Sequence, residues 1–239
     1  MKLSIVLPAF NEAENLKTLP VELMPYLRDL KLPFEILVVN DGSSDDTVAV
    51  AEGLHISELR LINHETNRCL GAAIKTAIRD ATGDLLVILD TDMTFHPRYI
   101  KDLLARFNQG DVDIVIGSPK LAVMAADIQW YRRFISKAAN IVYSLLFGQG
   151  INSVTTIFRL YRTADLKALT IVADKFDINV EILFKLVQRG KKVAEVPADL
   201  TVRKLGESKL RYYREIFRHL KIILRIIVWK WRNFFTSND

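Results

Sequence analysis

The chain is short of the residues that mark several whole classes of protein. It holds one cysteine, Cys69, among 239 residues. That excludes an internal disulfide and a zinc site built on cysteines, and it suits a reducing compartment. No glycine follows the first apolar run. Pro8-Ala9-Phe10-Asn11-Glu12 stands where a dinucleotide-binding fold would carry Gly-x-Gly-x-x-Gly, and no P-loop pattern occurs. The opening residues lack the longer apolar region and small-residue cleavage site of a signal peptide, so they read as a first strand. No repeat, low-complexity tract or Pro/Gly/Ser-rich linker divides the chain, which predicts one main domain.

What is present suits a large α/β core. Half of the residues (50%) are hydrophobic and 26% are charged, with a net charge of +5. Such a balance fits phosphate-bearing ligands or an anionic surface, and equally an ordinary globular protein. Short apolar runs alternate with longer amphipathic stretches. Strands are expected at Leu3 to Leu7, Phe34 to Val39, Leu59 to Asn63, Leu85 to Leu89 and Asp113 to Ile116. Helices are expected at Asn11 to Leu30, interrupted by Pro20 and Pro25, and at Thr47 to Leu54, Leu70 to Asp80 and Pro97 to Phe107. The second half is less regular. It offers helices at Gln129 to Phe147 and Asn179 to Arg189, and strands at Thr155 to Tyr161 and Val193 to Val196. Alternation of this kind predicts a mostly parallel, Rossmann-like sheet with helices on both faces.

In such sheets ligands bind at the carboxyl ends of the strands. Acidic and polar residues gather there: Glu12 after strand one, Asn40-Asp41-Gly42-Ser43-Ser44-Asp45 after strand two, and Asp90-Thr91-Asp92 after strand four. Each alone is equally a turn or a helix cap. Together they line one edge. Two carboxylates flanking one residue suit a hard cation such as Mg²⁺, which takes one or two protein carboxylates and completes its shell with water and phosphates. Asp41, directly at a strand end, can accept hydrogen bonds from a base or ribose.

Ser4 to Glu12, Val38 to Asp45 and Leu89 to Asp92 resemble the signature of family 2 inverting glycosyltransferases of the GT-A fold. Phe158 to Arg162, Glu195-Val196-Pro197 and Arg203 to Leu210 resemble the dolichol-phosphate mannose synthase and polyprenyl-phosphate branch. The resemblance implies transfer of a sugar from GDP-mannose or a UDP-sugar to a polyprenyl or dolichyl phosphate. It implies that Pro8, Phe10, Glu12 and Asp41 hold the nucleotide. Asp90, Thr91 and Asp92 would then meet the diphosphate, with Asp90 and Asp92 on Mg²⁺ or Mn²⁺. Arg133, Lys137, Arg203 and Lys209 would contact donor or acceptor phosphates. Three departures stand out. Thr94 replaces a metal-binding glutamine, Pro119 replaces an arginine, and Ser153 with Thr156-Ile157 replaces an aspartate and a Ser-Gly pair. A phosphate acceptor is already anionic, so no general base is assigned; Glu181, on an expected helix, is a candidate to face the site and equally a capping or solvated residue. The alternatives are a family 2 enzyme with a hydroxyl acceptor and a non-catalytic sugar-nucleotide-binding protein.

Residues 1–210 are expected to form the catalytic domain and 211–239 a basic amphipathic helix. Between Ile216 and Phe235, Arg218, Lys221, Arg225, Lys230 and Arg232 recur among apolar residues, with Trp229 and Trp231. Charges this frequent argue against a spanning helix and for one lying in a membrane interface; the alternative is packing on the domain. The expected enzyme is therefore peripheral, on the cytoplasmic face, or works with a separate membrane partner protein. A nucleic acid is not an expected partner.

Overall fold

The computed structural model describes residues 1–119, 145–148, 150–200, 221 and 223–228. Seven strands form one sheet: β1 (Leu3–Ala9), β2 (Phe34–Asn40), β3 (Leu59–Asn63), β4 (Leu85–Ile88), β5 (Ile114–Ser118), β6 (Arg159–Arg162) and β7 (Val193–Pro197). Their order is β3-β2-β1-β4-β6-β5-β7. All neighbours pair in parallel except β6, which runs antiparallel to β4 and to β5. The expected mostly parallel sheet is present.

Its central strands are buried on both faces, which is why they read as unbroken Val/Ile/Leu runs. Val6, Leu37, Val39, Leu86 and Ile88 pack on one face against α5 (Leu70–Asp80) and α8 (Ile178–Gln188). Ile5, Leu7, Ile36, Val38 and Val87 pack on the other against the residues of α1 (Ala13–Leu16), α2 (Leu19–Glu22), α3 (Met24–Asp29) and α6 (Ile100–Phe107). Helix α4 (Thr47–Gly53) also lies on that second face, through Ala51.

The expected helix from Asn11 to Leu30 is three short helices. Pro20 and Pro25 each sit in a first turn, where a missing amide proton costs nothing, and so each restarts the helix. Strand β6 begins at Arg159, not at Thr155, because Ser153 to Thr156 form a turn. It is followed by α7 (Thr163–Lys167), which the sequence pattern did not suggest. Of the expected helix from Gln129 to Phe147, only residues 145–147 are described, and they are helical.

At the amino ends of β1 and β2, one buried carboxylate ties the strands to the turn before β4. Glu35 accepts from the Ser4 hydroxyl at 2.7 Å, the Thr82 amide at 2.6 Å, the Thr82 hydroxyl at 2.8 Å and Arg60 at 2.8 Å. Burial pushes its pKa up, but those donors outweigh it and bring the group from 4.5 down to about 2. A carboxylate depressed in the folded state stabilises above its unfolded pKa, and that contribution fades as pH falls through the folded value. Over the window from 4.5 to about 2, this amounts to about 3 kcal/mol. Glu35→Gln is expected to lower stability at pH 7 and to flatten the loss between pH 5 and 2, as read by urea unfolding at stepped pH.

Candidate active site

The strand order reverses at β1. Strand β2 lies on one side of it and β4 on the other, so the chain leaves the carboxyl ends of these three strands in diverging directions. The crevice that results is where the expected site residues meet. Asp41 donates its amide to the Ala9 carbonyl at 2.8 Å, and the Thr91 hydroxyl donates to the Pro8 carbonyl at 2.8 Å. Both bonds stitch neighbouring strand ends to β1.

Thr91 is buried while Asp90 and Asp92 are half-buried, so the turn directs one side chain inward and leaves two carboxylates on its rim. The turn is tight: Met93 takes φ 51, and its amide returns to the Asp90 carbonyl at 3.0 Å. Asp92 accepts the Thr94 amide at 3.1 Å, and the Thr94 hydroxyl reaches Asp90 at 3.5 Å. Oxygen donors of this kind fit a hard divalent cation. Among the described residues no three His, Cys, Asp or Glu side chains gather into a metal cage. A cation here would need diphosphate oxygens and water to complete its shell, which suits an ion that arrives with its substrate.

Asp41 is buried and held from behind. Its Oδ1 accepts from His64 Nδ1 at 2.7 Å and from the Arg68 amide at 2.9 Å. A carboxylate only accepts, so Nδ1 carries a proton, and Nε2 on the far side of the ring lies 2.9 Å from the Thr76 hydroxyl. His64 was not singled out in the sequence. The available signal was its place directly after β3, at the same edge of the sheet as Asp41.

The loop after β2 is built by side chains reaching across to the segment after β1. The Asn11 amide donates to the Ser43 hydroxyl at 2.9 Å, and the Ser44 amide donates to the Asn11 side chain at 2.8 Å. The Glu12 amide donates to the Thr47 hydroxyl at 3.0 Å. Asp45 receives the Thr47 amide at 3.0 Å and the Ala13 amide at 3.3 Å. Burial raises the Asp45 pKa, but bonds from the Thr47 hydroxyl and these amides hold it below its ordinary value. Gly42, at φ +69, has no alternative: a Cβ there would lie 2.4 Å from the Thr66 backbone. Phe10 and Glu12 are half-buried beside this loop, and the Glu12 carboxylate accepts from the Asn15 side chain.

Beyond Arg68, Cys69 caps α5 with φ 69 and ψ 164. Glycine adopts that conformation freely; other residues are strained there by about 1–3 kcal/mol. The Arg68 amide bond to Asp41 fixes one side of the turn, and a Gly71 bond to the Asp174 carbonyl at 2.8 Å fixes the other.

Farther along the edge, the Ser118 and Ser153 hydroxyls meet at 2.6 Å. Glu181 does not reach the crevice. It is fully buried and accepts the Val172 and Ala173 amides at 3.0 and 2.7 Å, along with Lys185. Arg133, Lys137, Arg203 and Lys209 lie outside the described residues. The last described residue before Arg203 and Lys209 in sequence, Leu200, bridges to Phe95, three residues past Asp92.

A sequence model of glycosyl transferase family 2 matches residues 4–170. The dolichol-phosphate mannosyltransferase of Pyrococcus furiosus is 31% identical over 234 residues, covering 96% of this chain and 65% of that protein. Glycosyltransferase AglD of Haloferax volcanii is 28% identical over 232 residues, covering 94% of this chain and 37% of that protein. The chain thus spans only part of the length of each of these curated relatives. Among solved structures, glucosyl-3-phosphoglycerate synthase from Mycobacterium tuberculosis, in complex with Mn²⁺, UDP and phosphoglyceric acid, is similar with a TM-score of 0.71 and 20% identity. That alignment covers 95% of this chain and 77% of the other. At such identity the likeness concerns the fold, which is GT-A-like.

If His64 sets the orientation of Asp41, His64→Ala should raise the Kd for nucleoside diphosphate about tenfold, a cost of ~1.4 kcal/mol. Thr76→Val, which removes only the distal hydrogen bond, should cost less. Calorimetry with GDP and with UDP measures both.

Proposed function

The chain belongs to glycosyl transferase family 2, and from that premise we propose that it transfers a sugar from a nucleotide diphosphate donor to a polyprenyl or dolichyl phosphate, with inversion. The observation that carries the proposal is the convergence of Asp41, Asp90 and Asp92 at the ends of β2 and β4, on either side of β1. The name of the Pyrococcus furiosus relative, a dolichol-phosphate mannosyltransferase, supports the lipid-phosphate acceptor.

The strand order arranges the work along the edge. Asp41, backed by His64, takes the base or ribose, and Pro8, Phe10 and Glu12 form the rest of the nucleotide seat. Asp90 and Asp92 hold the diphosphate end with a divalent cation. When bound, Mg²⁺ or Mn²⁺ supplies charge neutralisation for the departing nucleoside diphosphate. Thr91 acts indirectly, by tying that turn to Pro8. An acceptor phosphate oxygen already carries the negative charge that attack requires, so the protein must orient it opposite the leaving group. Arg203 and Lys209 are assigned to that task, with Arg133 and Lys137. What supports this for the first pair is the bridge between Leu200, the last described residue before them in sequence, and Phe95, three residues past Asp92.

The acceptor's tail stays in a bilayer, so the protein must meet a membrane surface, which we place on the cytoplasmic side. No helix among the described residues is long and apolar enough to cross one. Residues 223–228 are helical and two-faced. Ile226 is fully buried in the core, whereas Leu224, Ile227 and Val228 are 63%, 39% and 53% exposed. Packing on the domain and contact with lipid are thus compatible: one face anchors the helix and the other is offered outward, flanked in sequence by the basic and aromatic residues up to Phe235.

Two outcomes are expected. Asp92→Ala should lower turnover roughly a hundred- to thousandfold with the fold intact by circular dichroism; wild-type turnover with a verified donor would remove Asp92 from the site. Leu224→Glu with Val228→Glu should release the protein from anionic vesicles in co-sedimentation at low salt, without lowering the unfolding temperature. Truncation would be a poorer test, because it also removes Ile226 from the core.

A further inference from the structure

One charged row crosses the sheet just below the catalytic edge. Ile88 of β4 pairs with Arg159 of β6, Arg159 pairs with Ile116 of β5, and Ile116 pairs with Glu195 of β7. Residues paired in this way point to the same face. Arg159 and Glu195 are therefore on one face, two strand spacings or about 10 Å apart, with β5 between them.

Arg159 is fully buried, and among the described residues no carboxylate pairs with it. Its guanidinium is held by carbonyls instead: Asn179 at 2.8 Å, Ser153 at 3.3 Å and Val154, with the Tyr161 hydroxyl at 3.3 Å. Among the described residues its Nε has no hydrogen-bond partner. A buried charge without a counter-charge is costly, and an apolar residue of similar volume would be cheaper. What an apolar residue lacks is a rigid fork that grips carbonyls from two chain segments at once.

Glu195 grips the same segment with the opposite polarity. Its Oε2 accepts from the Asn152 amide at 3.0 Å and from the Asn152 side chain at 2.9 Å. Residues 152–154 are thus held by amide at one end and by carbonyl at the other. The residue caught in the middle is Ser153, whose hydroxyl meets Ser118 at the carboxyl end of β5. Ser118 stands two residues past the charged row on β5, as Asp90 does on β4. The serine pair therefore lies about two strand spacings beyond Asp90, on the side away from Asp41.

We propose that Arg159 and Glu195 are positioning residues that clamp residues 152–154 and so fix the Ser153–Ser118 hydroxyl pair as a neutral hydrogen-bonding subsite at the transfer end of the crevice. This rests on the sugar-transfer reading above. The ligand chemistry is an oxygen-rich group, either the donor's hexose hydroxyls or the acceptor's phosphate. Neither positioning residue touches the substrate; both act through Ser153.

The test compares Glu195→Ala, Glu195→Gln, Ser153→Ala and Arg159→Lys in the full chain. Affinity for GDP and UDP is measured by calorimetry, and KM and kcat for donor and for polyprenyl phosphate by transfer assay. Exchange of the Asn152 amide is followed by NMR. Glu195→Ala and Ser153→Ala should leave nucleoside diphosphate affinity within about twofold while raising one KM about tenfold. A change in donor KM identifies the hexose as the ligand, and a change in polyprenyl phosphate KM identifies the acceptor. Glu195→Gln, which keeps an accepting oxygen, should restore both KM and Asn152 protection. Arg159→Lys should behave like Glu195→Ala if it folds. Wild-type kinetics in Glu195→Ala and Ser153→Ala, or equal losses in nucleotide affinity and transfer, would overturn the proposal. If the wild-type chain binds neither GDP nor UDP, the sugar-transfer reading fails instead. The clamp is then judged by Asn152 protection, which must disappear in Glu195→Ala and persist in Glu195→Gln.

Discussion

The backbone pairing of β1 with both β2 and β4 is the constraint on which the rest of the molecule depends. Parallel register on both sides brings Val6, Leu37 and Ile88 to one level, so the residues that follow must share one edge. Divergence of the chain from that edge opens the crevice, and the polar residues of the following turns fill its rim. The acidic groups are therefore neighbours because of strand register, although up to 80 residues separate them in sequence. Their hydrogen bonds then lock what register has gathered: Thr91 to Pro8, Asp41 to Ala9 and Ser44 to Asn11.

A second principle concerns how the site carboxylates are supported. Asp41 is buried, and its Oδ1 is already committed to His64 and to the Arg68 amide. Its orientation is set before any ligand arrives, so little rotamer freedom remains to be lost on binding. The supporting turn is strained at Cys69, where the backbone adopts a conformation suited to glycine. Local strain is tolerated because bonds on either side over-determine the turn. The same logic operates at the other end of the edge, where a buried guanidinium and a carboxylate hold one short loop.

Much of this was legible in the sequence because the information was local. Unbroken apolar runs named the buried strands, and acidic residues directly after β2 and β4 named the edge. What was not legible depended on distant partners. Nothing near Glu181 in the sequence says that it serves the backbone of Val172 and Ala173 instead of the crevice. Nothing near His64 announces Asp41, 23 residues earlier. The break of the first helical stretch at Pro20 and Pro25 was visible as an interruption, but whether each proline would kink a helix or restart one depends on packing against the sheet.

The antiparallel β6 has a consequence for how the molecule is made. Strands β1 to β4 can assemble in chain order from residues 3–88, each docking beside one already present. Strand β5 cannot. Both of its neighbours, β6 and β7, come later in the chain, so on leaving the ribosome it has no partner to join. Until residues 159–162 slot in beside β4, that strand keeps an open hydrogen-bonding edge, and β5 remains an unpaired apolar segment. Such long-range closure is slow, and exposed edges invite pairing with other chains. Vectorial synthesis would thus leave the β1–β4 half folded first, while the β5–β7 half waits for the strand that joins them, and that interval is when the nascent protein is most exposed to aggregation.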